Sequence, residues 1–365
     1  MAQITIWGDF KVDNTENLNL SGELQLLLNQ SDANVLNFEA PVKCNEKPIA
    51  KSGPNISQDL KAPKWIEEHG YNIVSLANNH AMDFGTKGLQ KTKAMFNTAC
   101  VIGAGTWKEA YRIHTITTSE GQRIGFLAAT HCEFGTMTDK MKDQYGCAWC
   151  QHPDFERLIL DKKGIDYLII YNHGGIEYMD MPLPEWRELY KKWIDLGADA
   201  VVASHPHVPQ GYEIYKGKLI CYSLGNFCFQ KKKVMYDHWF ESLCCVLNIA
   251  KDGKIEFKIY SIYYDIKSNY LDINESVNFQ KHLVRLNETL ADKEIYMKYI
   301  NREVLRRYRQ YQGLFTRGGW IVNVFPGSFL KGIAEKFKKE HIYNCLSCES
   351  HRWAIIRALR LKYDI

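Results

Sequence analysis

Residues 201–207 read Val-Val-Ala-Ser-His-Pro-His, a short apolar run followed at once by two imidazole side chains. The run has the length of a buried strand, and strand alternation with the intervening proline sets His205 and His207 on one side of a turn. Four other apolar runs end in a comparable way. They are residues 4–7 before Asp9, 35–38 before Glu39, 73–76 before Asn79 and His80, and 168–171 before His173. This repeated order of strand and polar ending predicts a sheet with functional groups at its strand ends.

The pattern up to about residue 265 is that of an α/β domain, because short aliphatic runs alternate with amphipathic stretches of helical length. Short turns at 119–121, 216–217 and 251–253 predict antiparallel hairpins, so the sheets are expected to be mixed. The predicted strands are residues 4–7, 34–38, 73–76, 113–118, 123–129, 167–171, 200–204, 219–223, 243–249 and 255–262. The predicted helices are residues 59–68, 86–97, 154–163 and 184–196.

The composition is typical of a globular protein, with 45% hydrophobic and 24% charged residues in a chain of 365. Disorder, collagen and a coiled coil are therefore excluded. No apolar run is long enough to cross a bilayer, and the first residues show neither a basic region nor an apolar leader core, so we expect no transmembrane segment and a cytoplasmic location. Eleven scattered cysteines favour reduced, mostly buried thiols in a reducing compartment.

The last part of the chain has a different texture, with long helical patterning. We expect residues 1–270 to form the α/β domain and 271–365 to form a C-terminal helical extension, with a break at 318–319 and a helix over 329–339. Residues 271–365 hold 17 Lys and Arg against 10 Asp and Glu. A solvated helix face explains such a charge most simply, and a polyanion or a membrane surface is the alternative. The Arg-rich stretch 302–309 is interpreted as a packed helix, not as a nucleic-acid face.

The strand ends carry the groups that bind hard or borderline divalent ions. Ligands in α/β sheets bind beyond the carboxyl ends of the strands, so five such endings on one edge would bring together two carboxylates, an amide and up to four imidazoles. This donor set suits Mn, Fe or Zn without a thiolate, and two such ions can support an in-line displacement at phosphorus. Taken singly, Asp9 could cap a helix, Glu39 could be a surface charge, and one histidine could be a hydrogen-bonded core residue. Five endings together favour a metal site.

Several motifs occur in order within residues 3–230. They are Gly8-Asp9, 37–41, 76–80 with 83–85 and Gly88, 103–105, 173–178, 197–199, 205–210 and 222–227. The series resembles the CapA family of capsule and poly-γ-glutamate synthesis proteins, whose domain is similar to the calcineurin-like metallophosphoesterases. The resemblance implies a four-layer α-β-β-α sandwich, followed here by the C-terminal helical extension that the motifs do not cover.

The resemblance also implies roles for individual residues. His80 would be the catalytic proton donor to the leaving oxygen. Glu177, Tyr178, Gln210 and Asn226 would contact substrate or support the ligands, and structural hydrogen bonding is their alternative role. The metal ligands, with Glu39 bridging one or two divalent ions, would be Asp9, Glu39, Asn79, His173, His205 and His207.

Two departures from the family pattern affect these expectations. The wider superfamily begins with Asp-x-His, whereas Asp9 is followed here by Phe10 and Lys11, and a protonated lysine is no metal ligand. We therefore expect Glu39, Asn79, His173 and His205 to bind an ion firmly, and Asp9, Glu39 and His207 to bind one weakly. Many family members carry an anchor or export signal ahead of the domain, whereas the first motif here begins at Gly8. This favours a cytoplasmic step on a nucleotide-linked or lipid-linked precursor or on a nascent chain.

Three functions follow from these patterns. The first is a divalent-metal-dependent, phosphoesterase-like hydrolase in the biosynthesis of a bacterial capsule or other surface polymer. The second is a metal-binding but catalytically silent accessory protein that binds an anionic polymer precursor or a synthase through its basic helices. The third is a γ-glutamyl amide hydrolase or transferase. No nucleic-acid partner is expected.

Two Cys-x-x-Cys pairs, 147–150 and 345–348, could form a zinc or redox site, but they lack zinc-ribbon spacing and buried thiols are favoured. His131, Cys132 and Glu133 also follow a predicted strand and could line the same cleft.

Overall fold

Two β-sheets form the centre of the structure, a computed structural model that describes residues 1–139, 143–231, 234, 236–251, 253–315 and 339–365. The strands are β1 (Ala2–Lys11), β2 (Asn19–Leu20), β3 (Ala33–Phe38), β4 (Ile73–Ser75), β5 (Cys100–Ile102), β6 (Ala104–Gly105), β7 (His114–Thr117), β8 (Arg123–Thr130), β9 (Gly146–Cys147), β10 (Tyr167–His173), β11 (Ala200–Ser204), β12 (Pro209–Tyr215), β13 (Lys218–Leu224), β14 (Asn226–Phe229), β15 (Glu241–Ile249), β16 (Ile255–Asp265) and β17 (Tyr270–Ile273). The helices are α1 (Gly22–Asn29), α2 (Ala62–Glu68), α3 (Gly85–Ala94), α4 (Trp107–Ala110), α5 (Pro153–Leu160), α6 (Pro184–Leu196), α7 (Val277–Ala291), α8 (Lys293–Phe315) and α9 (Glu349–Tyr363).

Both sheets mix parallel and antiparallel strands. The larger sheet has the order β2-β17-β16-β15-β1-β3-β4-β5, with β14 paired to the end of β1. Its strands β1, β3, β4 and β5 are parallel. The smaller sheet has the order β12-β13-β11-β10-β8-β7, and its strands β8, β10, β11 and β13 are parallel. The hairpins β7–β8, β12–β13 and β15–β16 are antiparallel, so the predicted mixed sheets are confirmed.

The sheets pack face to face, with helices on the two outer faces. Successive residues of β3 divide between two buried clusters, since Val35 packs with strands of the smaller sheet and Leu36 packs against α1, α2 and α3. This division is expected because successive side chains of a strand point to opposite faces. Helices α5 and α6 add Phe155 and Trp193 to the cluster of the smaller sheet. The predicted α-β-β-α sandwich is therefore confirmed.

The tail helices pack on the same core as the sheets. Leu286 of α7, Ile300 of α8 and Ala358 of α9 are buried in the cluster that contains β8, β10 and β11. The division expected between residues 270 and 271 falls within β17, which pairs with β16 in the larger sheet. The C-terminal helical stretch is present, while its separation as a domain of its own stays a prediction.

The structure also contains elements that the sequence patterns did not indicate. The strands β12, β14 and β17 and the helix α1 were not predicted. The predicted helix 59–68 begins only at Ala62, because Asp59 accepts hydrogen bonds from Thr15 instead. The expected break at 318–319 and most of the expected helix 329–339 lie outside the described residues. Among the helices in the described ranges, none combines the length and the apolar character that a membrane crossing requires.

Gly8 allows β1 to approach the turn at Gly225. A Cβ atom added to Gly8 would lie 2.1 Å from the Gly225 carbonyl oxygen, and Gly225 itself has a φ of 73°. We therefore expect Gly8→Ala to lower the free energy of unfolding by about 1–3 kcal/mol, because two backbone segments must separate. Urea denaturation measures this change. The control is Gly22→Ala, since a Cβ atom there would meet no atom within 4 Å. Equal midpoints for the two variants would contradict this explanation.

Candidate metal centre and cleft

The predicted ligands come from the ends of strands in both sheets. Asp9 lies in β1 and Glu39 follows β3, both in the larger sheet, while His173 ends β10 in the smaller sheet. Asn79 follows β4 in the larger sheet, and His205 and His207 follow β11 in the smaller one. The single sheet edge that we expected from the sequence is therefore two edges, brought together by the face-to-face packing. Each sheet supplies part of the donor set.

One half of the centre is formed by three side chains that meet around one imidazole nitrogen. His173 Nε2 lies 3.1 Å from Asn79 Oδ1 and 3.1 Å from His205 Nδ1. An ion with ligands at about 2.0–2.2 Å brings neighbouring donor atoms to roughly 3.0–3.6 Å. The spacing of these three donors fits such an ion.

The other half is formed by Asp9, Glu39 and His207, whose ligand atoms all lie within 4.8 Å of one another. His207 Nε2 is 3.7 Å from Glu39 Oε1, and His207 Nδ1 is 3.8 Å from Asp9 Oδ2. Asp9 also approaches the first half, since its Oδ1 is 3.5 Å from His173 Nδ1. The two halves are therefore adjacent and share Asp9 as a neighbour.

Glu39 is the most unusual group in the centre. Both of its carboxylate oxygens are buried and form no hydrogen bond with the described residues. Burial raises the pKa of Glu39 well above its ordinary value, and the charges of Asp9 and Glu177 raise it further. A buried carboxylate without a hydrogen-bond donor is costly, and a bound cation would compensate it. The donor set thus fits a divalent ion, with Glu39 beside it.

The remaining charges in the centre are consistent with a cation site. Burial lowers the pKa of His205 well below its ordinary value, as do the imidazoles of His131 and His173. Burial also lowers the pKa of His207. Burial alone would raise the pKa of Asp9, but its hydrogen bond and charge interaction with His173 lower it overall. Neutral imidazoles and an ionised carboxylate are the forms that bind metals.

The backbone is strained where it presents these groups. His205 has a φ of 101° and His207 a φ of 61°, on either side of Pro206. Ala40, directly after Glu39, has a φ of 96°, and Tyr178 has a φ of 59°. Residues other than glycine rarely adopt such angles, and those that do concentrate at functional sites. The fold therefore holds these donors in place at an energetic cost.

His80 is held at the rim of the centre by an acidic partner. Its Nδ1 lies 2.7 Å from Asp83 Oδ2, and this leaves Nε2 as the ring nitrogen available to a ligand. Asp83 is buried, accepts a hydrogen bond of 2.7 Å from the Ile56 backbone amide and forms an ion pair with Lys51. A carboxylate behind an imidazole fixes the ring orientation. His80 is thus positioned to transfer a proton.

A cleft of about 350 Å³ opens over His80, and the tail helices form one of its walls. Lys51, Asn79, His80 and His205 line the cleft on the sheet side. The wall from the tail consists of Arg307, Tyr311, His341, Asn344 and His351. A substrate that reaches the centre would contact both parts of the chain.

The four supporting residues proposed from the motifs occupy different positions. Glu177 and Tyr178 line the cleft. Asn226 Oδ1 lies 2.9 Å from His207 Nδ1, which leaves Nε2 of that ring facing Glu39. Gln210 donates a hydrogen bond of 2.6 Å to the Met179 carbonyl oxygen and does not line the cleft. Asn226 thus orients His207, a predicted ligand, whereas Gln210 supports a loop.

Lys11, which stands where the superfamily has a histidine, bonds to Asp13 at 2.5 Å. Its ammonium group therefore has a carboxylate partner outside the predicted ligand set.

Several residues in and around the centre were not assigned roles from the sequence. Asn37 donates a hydrogen bond of 2.7 Å to Asp9 Oδ1, and Asn78 donates one of 3.1 Å to Asn37 Oδ1. Both belong to quoted motifs, so the motif could have indicated them. Lys51 and Arg307 lie in stretches without a recognisable motif. Their place in the cleft depends on tertiary structure alone.

The family to which this arrangement belongs is given by the sequence comparison. Residues 7–231 match the family described as "Bacterial capsule synthesis protein PGA_cap". The chain belongs to the PGA_cap family. The matched residues include all six predicted ligands and His80. The match ends at residue 231, ahead of the tail helices of this PGA_cap protein, which begin at Val277.

Three relatives are similar to this PGA_cap protein. The capsule biosynthesis protein CapA of Bacillus anthracis is 35% identical over 56% of this chain and 52% of its own length. The PGA biosynthesis protein CapA of Bacillus subtilis is 31% identical over 62% of this chain and 60% of its own. A probable polyglutamine synthesis accessory protein of Mycobacterium tuberculosis is 29% identical over 42% of this chain and 44% of its own. The chain thus spans between two fifths and three fifths of the length of these relatives.

Proposed function

We propose that this protein is a divalent-metal-dependent hydrolase of phosphoester bonds that acts in the synthesis of a capsule or polyglutamate polymer. The names of the two CapA relatives support the biosynthetic role. The observation that carries the chemistry is Glu39, a buried carboxylate without a hydrogen-bond donor in the described residues, beside Asp9 and His207. One or two ions of Mn, Fe or Zn would supply a nucleophile at neutral pH and neutralise charge on the substrate.

His80 has the geometry of the proton donor in this proposal. The contact between its Nδ1 and Asp83 directs Nε2 to the cleft, where the leaving oxygen of a bound ester would lie. Such a group contributes typically 10²–10⁴-fold to a rate. Lys51 contacts both His80 Nδ1, at 3.1 Å, and Asp83, so it helps to hold these two side chains in position.

The basic wall of the cleft supports an anionic polymer precursor or nascent chain as the substrate. Arg307 is 9% exposed, donates a hydrogen bond of 2.7 Å to the Tyr178 carbonyl oxygen, and has a buried Nε without a partner in the described residues. Arg307 also lines the cleft, and guanidinium groups bind carboxylate or phosphate groups well. The free thiols of all eleven cysteines are consistent with action in a reducing cytoplasm.

Arg307→Ala is expected to raise KM for an anionic substrate about tenfold or more, because a charge-assisted hydrogen bond stabilises binding by about 1.5–3 kcal/mol. The rate constant kcat should change less. Steady-state kinetics with the best phosphodiester substrate measures both. Arg306→Ala is the matched control, since Arg306 lies next to Arg307 in α8 but is exposed and paired with Glu303. Similar KM values for the two variants would exclude a role of Arg307 in substrate binding.

The function itself is tested by metal analysis and turnover. Protein purified without chelator should contain about one to two equivalents of divalent metal that are lost in Glu39→Gln, and it should hydrolyse a generic phosphodiester after Mn is added. The activity should depend on His80. Metal-free protein that neither binds Mn nor turns over would refute the proposal.

Lys11 favours a second candidate, a metal-binding accessory protein that binds a polymer precursor or synthase without catalysis. Lys11 stands at the sequence position of a superfamily ligand, and its ammonium is engaged with Asp13, so one half of the centre has fewer donors. Stoichiometric metal without turnover of phosphodiesters or polyglutamate would favour this function. Release of glutamate, and not phosphate, would instead favour cleavage of γ-glutamyl amides.

A further inference from the structure

A second group of metal-binding side chains lies where the tail meets the loop after β8. His131 and Glu133 come from that loop, while Cys348 and His351 come from the start of α9. Ligand atoms of His131, Glu133 and Cys348 lie within 4.8 Å of one another. His131 and Cys348 are buried, and 11% of the Glu133 side chain is exposed. The group is thus enclosed between the family domain and the tail.

The distances in this group are close to those of a tetrahedral site. Glu133 Oε1 lies 3.8 Å from His131 Nε2 and 3.8 Å from His351 Nε2. Cys348 Sγ lies beside the same imidazole, 3.6 Å from its other ring nitrogen, Nδ1. Zinc ligands at about 2.0–2.3 Å bring neighbouring donor atoms to roughly 3.3–3.7 Å. To close around one ion, Cys348 must turn towards His131 Nε2, and His351 must move closer to the three residues whose ligand atoms already lie within 4.8 Å of one another.

On both His131 and His351 a hydroxyl group contacts Nδ1, which leaves Nε2 as the nitrogen that can bind a metal. The hydroxyl oxygen of Tyr311 lies 2.8 Å from His351 Nδ1, and that of Ser350 lies 3.1 Å from His131 Nδ1. His131 Nε2 is buried and forms no hydrogen bond with the described residues. Metal-binding histidines commonly show this arrangement, with the second nitrogen held by a polar group.

We infer that His131, Glu133, Cys348 and His351 form a zinc site that joins the tail to the edge of the smaller sheet. One thiolate with two imidazoles and one carboxylate suits zinc better than Mg or Mn, and the thiolate distinguishes this site from the thiolate-free centre at Glu39. Cys345, the other cysteine of the 345–348 pair, packs with Tyr311 and Ile355. The zinc site does not depend on the proposed hydrolase activity.

The site would fix the wall of the cleft that the tail provides. His351 and Tyr311 both line the cleft, and the His131 ring lies 4.4 Å from the ring of His205. A zinc ion here would therefore hold the tail helices over the centre. Its removal should loosen the tail, so limited proteolysis should cut the chain after residue 271 faster in chelator than in zinc.

Cobalt substitution tests the site on the full chain. Metal-free protein titrated with Co²⁺ should develop thiolate-to-cobalt charge-transfer absorption whose final amplitude corresponds to one thiolate-bound cobalt per chain, because cobalt at the Glu39 centre has no thiolate ligand. Cys348→Ser should lose this absorption and one equivalent of zinc, whereas the control Cys345→Ser should keep both. Glu39→Gln should also keep both, because Glu39 belongs to the other centre.

Two results would overturn the inference. One is a folded wild-type protein that binds Co²⁺ without the thiolate band, a result that does not depend on whether any variant folds. The other is a Cys348→Ser variant with as much zinc as Cys345→Ser.

Discussion

Glu39→Gln is expected to remove metal from the centre and to lower the hydrolytic rate about a hundredfold or more, because changes to the outer partners of metal ligands alone cost about 10–100-fold. Glutamine has nearly the same shape, so the loss would report on the charge and not on packing. Metal analysis and turnover of a phosphodiester measure the effect. The control is Glu177→Gln, which alters a carboxylate that lines the cleft but is not in the predicted ligand set. Unchanged metal content in Glu39→Gln would contradict a ligand role.

In the metal-free protein, Glu39→Gln should instead increase the stability of the fold. The pKa of Glu39 is raised in the folded state. At pH values above its ordinary pKa of 4.5, the folded protein therefore keeps a proton on Glu39 that the unfolded chain has lost. The contribution of protonated Glu39 to the free energy of unfolding is therefore fully present below pH 4.5 and is lost as the pH rises through the pKa of Glu39 in the folded state. Above pH 4.5, metal-free Glu39→Gln should be more stable than metal-free wild type. The difference between the two free energies of unfolding should shrink as the pH falls to about 4.5. Thermal unfolding in chelator at several pH values measures this difference.

His80→Gln is expected to lower kcat by about 10²–10⁴-fold while leaving the metal content unchanged. The reason is that His80 contacts Asp83 through Nδ1 and faces the cleft through its other nitrogen, without belonging to the compact ligand groups. Single-turnover kinetics together with metal analysis separates the two effects. The control is His69→Gln, because His69 stacks on Trp65 and does not line the cleft. A full-rate His80→Gln enzyme would remove His80 from the mechanism.

The parts of the fold that could be predicted from the sequence are those with a periodic apolar pattern. The core of β11 (Ala200–Ser204) and the whole of α6 (Pro184–Leu196) were predicted with their observed bounds. Helix α1 was missed although Ser21 caps it by accepting a hydrogen bond from the Leu24 backbone amide. The helix begins at Gly22, within a Ser21-Gly22 pair that also suits a turn. A short helix of this kind is fixed by its burial against the sheet, which no local pattern reveals.

The candidate centre was predicted from strand endings and motifs, and its ligand assignments stay a prediction. What the sequence could not indicate is that two different sheets supply the donors, since no local signal reports which strands share a sheet. The role of the tail was also beyond reach. Arg307 lies 80 residues and His351 lies 124 residues beyond the last motif of the family series, which ends at residue 227, and only the packing of α8 and α9 brings them to the cleft.

The division of the donors between two sheets makes the centre sensitive to the thickness of the sandwich. Where the sheets meet near the centre, small residues keep them close, because a Cβ atom on Gly103 would lie 2.6 Å from the Cβ of Ala77 and 2.9 Å from that of Ala128. A larger side chain at this contact would push the two sheets apart. It would thereby increase the distance between Asp9 and His205 although it contacts neither residue. The metal affinity of the proposed centre would thus depend on buried packing residues that contact no ligand, and an ion that bound both sheets would in turn resist their sliding.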